Sequence, residues 1–286
     1  MRLDWQCAPV DAVRGTVRVP GDKSISHRAI MLGALAEGTT EVSGFLEGED
    51  CLATMRAFQA MGVEIVHHGA GRVTIHGAGL HGLRAPAAPL DVGNSGTSMR
   101  LLAGVLAGQP FDAVLVGDAS LMKRPMRRVT EPLTLMGAEI ATSDAGTAPL
   151  VIHGRPLRAI EYTLPVASAQ LKSALLLAGL FAEGTTRITE TGVSRDHSER
   201  MLRGFGVEIG KEGATLAIRG GQRLSACEVV VPGDVSSAAF FIVAALIARE
   251  GALLLENVGM NPTRAAVVEI LRAMGGDIEI LHAREA

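Results

Sequence analysis

Lys23, Ser24 and Arg28 stand at the start of a helical run, and together they have the residue types of an anion site. Lysine supplies a compact point charge, a serine hydroxyl adds to the unpaired N–H groups of a helix start, and arginine one turn along grips a carboxylate or phosphate bidentately. The turn that presents them, Val19-Pro20-Gly21-Asp22-Lys23-Ser24, is echoed by Val231-Pro232-Gly233-Asp234-Val235-Ser236. The copy has valine where the first has lysine, so the backbone does not require Lys23 and a functional reading gains weight. A second basic cluster, Lys123-Arg124-Pro125-Met126-Arg127-Arg128, reads by itself more readily as a solvated loop than as a site. His27, between Ser26 and Arg28, reads as completing a polar contact beside the site rather than as a general base. Ser24 has no GxSxG elbow around it and no motif-placed His and Asp, which excludes a hydrolase triad.

Elements able to aim such groups at one place recur along the chain. A unit of about 70 residues repeats four times, each copy closing on Met/Phe-Gly-X-Glu/Asp-Ile. The closing glycines are Gly62, Gly137, Gly206 and Gly275, spaced by 75, 69 and 69 residues; the opening turns lie at Lys23-Ser24, Gly96-Thr97, Ser168-Ala169 and Ser236-Ser237. Every helix start offers free N–H groups and about half a positive charge, so converging starts make an anion site. The runs 171–182 and 236–249 are apolar all round and predict helices buried on every side. Asn261-Pro262 predicts an N-cap with proline at the first helical position, followed by a stripe of Val267, Leu271 and Met274 against polar Glu269 and Arg272. Short β-rich runs at 39–42, 185–189 and 252–256 lie between the helices. The pattern predicts α/β architecture with outer sheets enclosing apolar helices.

Composition narrows the function classes. With 286 residues and 48% hydrophobic content there is material for a substantial core. A net charge of −3 and 3% aromatics argue against a nucleic-acid binder. No signal-like apolar stretch opens the chain and no long uncharged run follows, so the reading is a cytoplasmic protein with no membrane span. Cys7, Cys51 and Cys227 are far apart with no CxxC, which favours reduced thiols over a disulfide or zinc framework.

The segments DKSISHRAIMLGALAEGTT, GNSGTSMR, KRPM, ASAQLKSALLLAGL, SRDHSERMLRGFG and VPGDVSSAAFFIVAAL closely resemble the 5-enolpyruvylshikimate-3-phosphate synthases, and their SAQ, SRDHSER and VPGDVSS variants resemble the bacterial class II type. The resemblance runs from about residue 9 to 280. It implies a fold of repeated βαβαββ units, an inside-out α/β barrel with three units per domain and substrates where helix starts meet. It also implies transfer of the enolpyruvyl group of phosphoenolpyruvate to the 5-hydroxyl of shikimate 3-phosphate, in aromatic amino-acid biosynthesis, with release of phosphate. No cofactor or metal is implied, glyphosate is the expected inhibitor, and the complete enzyme is expected to be a monomer.

Carried over residue by residue, the resemblance makes Lys23 the catalytic group that touches both substrates, with Ser24 and Arg28 on the carboxylate and hydroxyls of the shikimate ring. Gly96 would lie against phosphoenolpyruvate, flanked by Asn94 and Thr97, and Arg124 would grip the same ligand. Ser168 and Gln170 would meet the shikimate phosphate and ring, joined by Ser194 and Arg195. Ala169 departs from the many members that have a second serine there. Asn94 and Ser98 could instead cap a helix, Asp234 and Ser236 are expected to do so, and Ser173 is expected to serve packing.

The family has six repeats, and this chain shows four. The resemblance therefore predicts a complete three-unit domain at 21–229 and an incomplete second one from 1–20 plus 230–286, with the catalytic aspartate and glutamate outside the sequence. On that expectation the chain is a fragment, inactive alone. Two other classes are weighed against this. A sister enolpyruvyl transferase acting on a UDP-sugar would show Lys-Asn in place of Lys23-Ser24 and a loop cysteine near the basic cluster. A non-catalytic anion-binding module would use the same repeats without turnover.

Overall fold

The computed structural model describes Asp4, Gln6 and residues 8–284; Cys7 lies outside them. The chain divides into two compact units, Lys23–Val231 and a second formed by Met1–Asp22 with Pro232–Ala286.

The larger unit contains helices α1 (Lys23–Leu35), α2 (Glu49–Ala60), α3 (Gly96–Ala107), α4 (Arg127–Leu135), α5 (Ala169–Gly179) and α6 (His197–Gly204). Three four-stranded sheets share one plan, a parallel first pair followed by two antiparallel pairs. Glu228–Val230 lies beside Glu37–Ser43, then Arg72–Ala78 and Glu64–Gly69. Leu90–Asp91 likewise precedes Asp112–Val116, Leu150–His153 and Glu139–Ala141, and Glu161–Thr163 precedes Thr185–Thr189, Thr215–Arg219 and Ile209–Glu212. The last strand of the unit thus completes the first sheet.

The first helix of each of the three copies in this unit lies in the core. In α5 every residue from Leu171 to Gly179 is buried, as the apolar run predicts, and in α3 every residue from Leu101 to Ala107. Their backbones come so close that a Cβ on Gly104 would stand 2.2 Å from the Ala174 carbonyl oxygen, which reserves that position for glycine.

The closing phrase of the repeat is a helix stop. Gly62, Gly137, Gly206 and Gly275 have φ of 88°, 96°, 85° and 95°, each just after a helix. The glycine N–H bonds one carbonyl and the next N–H reaches a residue further back, as in Gly62 N to Gln59 O (3.0 Å) and Val63 N to Phe58 O (3.1 Å). The pair recurs at Gly137/Ala138, Gly206/Val207 and Gly275/Gly276. This is the Schellman arrangement, which demands a left-handed residue at that point.

The smaller unit has α7 (Val235–Ile247), α8 (Ala266–Ala273) and a parallel pair, Ala12–Val17 with Glu250–Leu255. Here two expectations are corrected. Helix α7 is not buried on every side: only Val235 and Ala238 are buried, while Phe240 and Ile247 are each 79% exposed. It packs on the two-stranded sheet, too narrow to cover an apolar helix all round. Helix α8 begins at Ala266 because the Asn261 side chain instead accepts from the N–H (2.9 Å) and hydroxyl (2.8 Å) of Thr263, closing a turn. Its buried residue is Val268, not Val267, and Met274 is exposed.

Among the described residues, Cys51 is buried and Cys227 half-buried, neither in a disulfide, and no helix is long and apolar enough to cross a membrane. Burial pushes the Cys227 thiol pKa up.

Candidate active site

A cavity of about 280 Å³ in the larger unit gathers the starts of four helices. Ser24 and Arg28 come from α1, Thr97 from α3, Ala167, Ser168, Ala169 and Gln170 from the turn into α5, and Arg195 and His197 from the turn into α6. A serine hydroxyl can cap such a start. Ser168 does so for α5, accepting from Leu171 N (3.4 Å).

Arg28 is 5% exposed and fully engaged. Its Nε donates to Ser198 Oγ (2.7 Å), one Nη to Ser173 Oγ (2.7 Å) and the other to the Ser24 carbonyl (2.9 Å). Ser173 is therefore part of the polar site rather than packing alone: it orients the guanidinium while donating to the Ala169 carbonyl (2.6 Å). Arg195 donates to Ser24 Oγ (3.3 Å), so Ser24 at the α1 start meets two cations, Arg195 at its hydroxyl and Arg28 at its carbonyl. Lys23 pairs through Nζ with Asp50 at the start of α2 and does not line the cavity.

Asn94, Gly96 and Arg124 form a neighbouring cluster. Arg124 donates to Asn94 Oδ1, and Asn94 Nδ2 donates to Asp118 (2.6 Å). This donation, with the Leu121 N–H, holds the Asp118 carboxyl below its usual pKa. Neither Asn94 nor Ser98 caps α3; that role belongs to Ser95, whose Oγ accepts from Ser98 N (3.1 Å). In the smaller unit Asp234 caps α7, accepting from Ser236 N (2.8 Å), whereas Ser236 itself accepts from Arg264 (2.6 Å).

Arg100 ties the cluster to the cavity, and sequence reasoning missed it. One Nη donates to the Gly96 carbonyl (3.2 Å) and to Gln170 Oε1 (3.2 Å), and the other to the Pro125 carbonyl (3.3 Å). Gln170 completes the link by donating to Thr97 Oγ1 (3.0 Å). Burial, then the Arg124 and Arg128 charges, lower the Arg100 pKa. Its signal was present in GNSGTSMR, as a cation one helical turn after Gly96.

Ser194 is not among the residues lining the cavity and donates to Glu190 (2.6 Å). The same Glu190 oxygen pairs with Lys172 Nζ (3.0 Å), which also meets Glu199 (2.6 Å). Lys172 is wholly buried. A buried ammonium is costly without such partners, so its presence in the apolar α5 was the one sequence hint of this triad.

His27 is fully buried, with Nδ1 2.8 Å from Thr54 Oγ1. Burial, then the Arg28 and Lys23 charges, lower its pKa to about 3 against an opposing effect of Asp50. It is therefore neutral at physiological pH, in keeping with a polar contact rather than a proton carrier. Among the described residues no group of His, Cys, Asp and Glu has the arrangement of a metal site.

The arrangement offers donors from four helix starts and several guanidinium groups, which suits ligands carrying more than one negative charge. The family model for EPSP synthase (3-phosphoshikimate 1-carboxyvinyltransferase) matches residues 7–285. A 3-phosphoshikimate 1-carboxyvinyltransferase of Halorhodospira halophila is 64% identical over 99% of this chain and 64% of its own length. That of Alkalilimnicola ehrlichii is 62% identical over 99% and 64%. An EPSP synthase structure from Acinetobacter baumannii superposes with a TM-score of 0.87 at 58% identity, covering 92% of this chain and 59% of that one. The chain thus spans 64% of the length of these curated relatives. The sheets and buried helices are those of the α/β enolpyruvyl-transferase fold, and the chain belongs to the EPSP synthase (3-phosphoshikimate 1-carboxyvinyltransferase) family.

Proposed function

We propose that the chain carries the shikimate 3-phosphate side of an enzyme that moves the enolpyruvyl group of phosphoenolpyruvate to the 5-hydroxyl of that substrate. The observation that carries the reading is the cavity where Ser24, Arg28, Thr97, Ser168, Gln170 and Arg195 meet. Arg28 is already oriented by Ser173 and Ser198, so little side-chain freedom is lost when it engages an anion. Ser168, Gln170 and Arg195 would take the phosphate and ring, with Ser194 joining from the adjacent turn. Residues 21–229 form the three-unit domain in this reading, supported by the grouping of 23–231 into one compact unit.

Phosphoenolpyruvate and its competitor glyphosate would lie toward Asn94, Gly96 and Arg124, where Arg100 adds a second guanidinium. Lys23 would serve both substrates, its ammonium held ready by Asp50. Fixed cations aimed at oxygens that gain charge during addition and phosphate loss lower the barrier without an added base at this end of the site. The protein would work in the cytoplasm.

Calorimetric titration of shikimate 3-phosphate into the 286-residue chain tests the reading. Saturable binding is expected, weakened by about tenfold or more in Arg28→Ala and Arg195→Ala, since each removes a charge-assisted pair. No binding by the unaltered, folded chain would defeat it.

A further inference from the structure

A single file of polar groups crosses the apolar core of the larger unit. His27 on α1 meets Thr54 on α2 (Nδ1 to Oγ1, 2.8 Å), Thr54 meets Ser98 on α3 (2.6 Å), and Ser98 meets Ser95 (2.6 Å). His27, Thr54 and Ser98 are wholly buried and Ser95 is 1% exposed.

The Thr54 hydroxyl also has the Asp50 carbonyl at 3.4 Å, a much longer contact than its 2.6 Å to Ser98 and 2.8 Å to His27. Each hydroxyl has one proton, so along the two short contacts the file runs in one sense or the other. If the protons point toward His27, its Nδ1 accepts and Nε2 carries the ring hydrogen. Nε2 is buried with no hydrogen-bond partner among the described residues, and an orphaned buried N–H is the rarer defect. In the opposite sense Nδ1–H donates to Thr54, Thr54 to Ser98 and Ser98 to Ser95, leaving only a lone pair on Nε2. Ser95 then accepts from both the hydroxyl and the backbone N–H of Ser98, as its capping role requires.

We infer that His27 is a positioning residue, a neutral histidine with its proton on Nδ1, heading a one-way hydrogen-bond chain through Thr54 and Ser98 that sets the start of α3. The inference rests on the proposed function, in which Gly96 and Thr97 at that start face ligand. A shift of α3 reaches the cavity directly, because Thr97 and Arg100 hold Gln170. The charged groups around the ring are Arg28 and Lys23 on its own helix and Asp50 on α2.

The test combines nitrogen NMR of histidine-labelled chain with shikimate 3-phosphate titration of the unaltered protein, Thr54→Val and Thr54→Ser. The unaltered protein should show a protonated Nδ1 and a bare Nε2 that do not change between about pH 5 and 8. Thr54→Val should lose the single tautomer and weaken binding by roughly three- to tenfold, the loss of one buried hydrogen bond. Thr54→Ser, which keeps the hydroxyl, should restore both. A merely structural threonine would lower the melting temperature of Thr54→Val while leaving the affinity of the folded protein unchanged, and that result overturns the inference. So does a proton on Nε2 in the unaltered protein, with binding intact. If the stated tautomer is seen but the unaltered protein binds no shikimate 3-phosphate, the functional reading falls and the positioning role falls with it.

Discussion

Asp22 and Asp234 share one arginine. Arg264 donates from one Nη to Asp22 (2.9 Å) and from the other to Asp234 (2.9 Å), and all three side chains are nearly buried. The two aspartates occupy the same place in the echoed Val-Pro-Gly-Asp turns. The turns themselves meet as an antiparallel bridge, Gly21 with Gly233, closed by Asp22 N to Pro232 O (2.8 Å) and Asp234 N to Pro20 O (2.9 Å). A repeat in sequence has become a local two-fold, and the guanidinium fork fits it because it can serve two carboxylates at once.

Arg264→Leu should therefore be among the more damaging changes in the smaller unit. It leaves two carboxylates in a water-poor place without their cation, which costs about 3–5 kcal/mol for a broken buried pair. Hydrogen exchange of the Ala12–Val17 and Glu250–Leu255 amides checks this. Adding Asp22→Asn and Asp234→Asn to Arg264→Leu should recover part of the loss, since no buried charge is then uncompensated. Protection unchanged in Arg264→Leu would show that the clamp contributes nothing.

What the sequence made legible follows from how far each signal reaches. The closing glycines Gly62, Gly137 and Gly206 stood out in the sequence as a repeated phrase, because the helix stop they make is built within one turn and demands the same residue each time. The basic groups Lys23, Arg28 and Arg124 were readable by type. Their partners were not: Arg28 meets Ser173 and Ser198 far along the chain, and a serine inside a helix looks like any small residue. Arg100, Asp50 and Thr54 were passed over for the same reason. Asn261 misled because its side chain can cap a turn as well as a helix, and local preference does not decide between them.

Gly96→Ala tests how the second cluster works. An added Cβ would stand 2.6 Å from one Arg100 Nη and 3.2 Å from one Arg124 Nη, so the methyl displaces flexible guanidinium ends rather than backbone. The chain should fold normally, because Gly96 opens α3 without a left-handed backbone and the methyl meets only side-chain ends. The functional loss should fall on the ligand those guanidiniums hold. In an enzyme made active over the length of its relatives, glyphosate and phosphoenolpyruvate should both weaken, glyphosate more, by roughly tenfold or beyond for a crowding methyl. Inhibition and phosphoenolpyruvate KM both unchanged would place Gly96 outside the ligand site.

The exposed face of α7 predicts self-association of the 286-residue chain. Phe240 and Ile247 are 79% exposed, and Ile270 on α8 and Met274 just after it are 59% and 77% exposed, in a unit where α7 has only two buried residues. Apolar surface of this kind drives association in water. Light scattering should show oligomers that shrink when Phe240→Ser and Ile247→Lys are combined, and residues 23–231 expressed alone should stay monomeric. A monodisperse monomer of the unaltered chain at high concentration would count against the exposed face.

Acid should destabilise the larger unit through His27, and the sign can be worked out. The folded state keeps the ring neutral down to about pH 3, whereas an unfolded histidine takes up its proton near pH 6.5. Between these values the unfolded chain binds more protons, so unfolding free energy falls as pH falls, by up to about 1.4 kcal/mol per pH unit for this one group. His27→Asn removes the titration while leaving an amide N–H near the place of Nδ1–H to donate to Thr54. The stability difference between the unaltered chain and His27→Asn should then be constant above about pH 7 and should shift in favour of asparagine at that slope below pH 6.5. Urea unfolding followed by hydrogen exchange of α1 amides from neutral pH to about pH 5 reads this out before carboxylates begin to titrate. Parallel pH profiles for the two proteins would mean that His27 takes up a proton as readily in the folded chain as in the unfolded one, and the buried neutral ring would have to be abandoned.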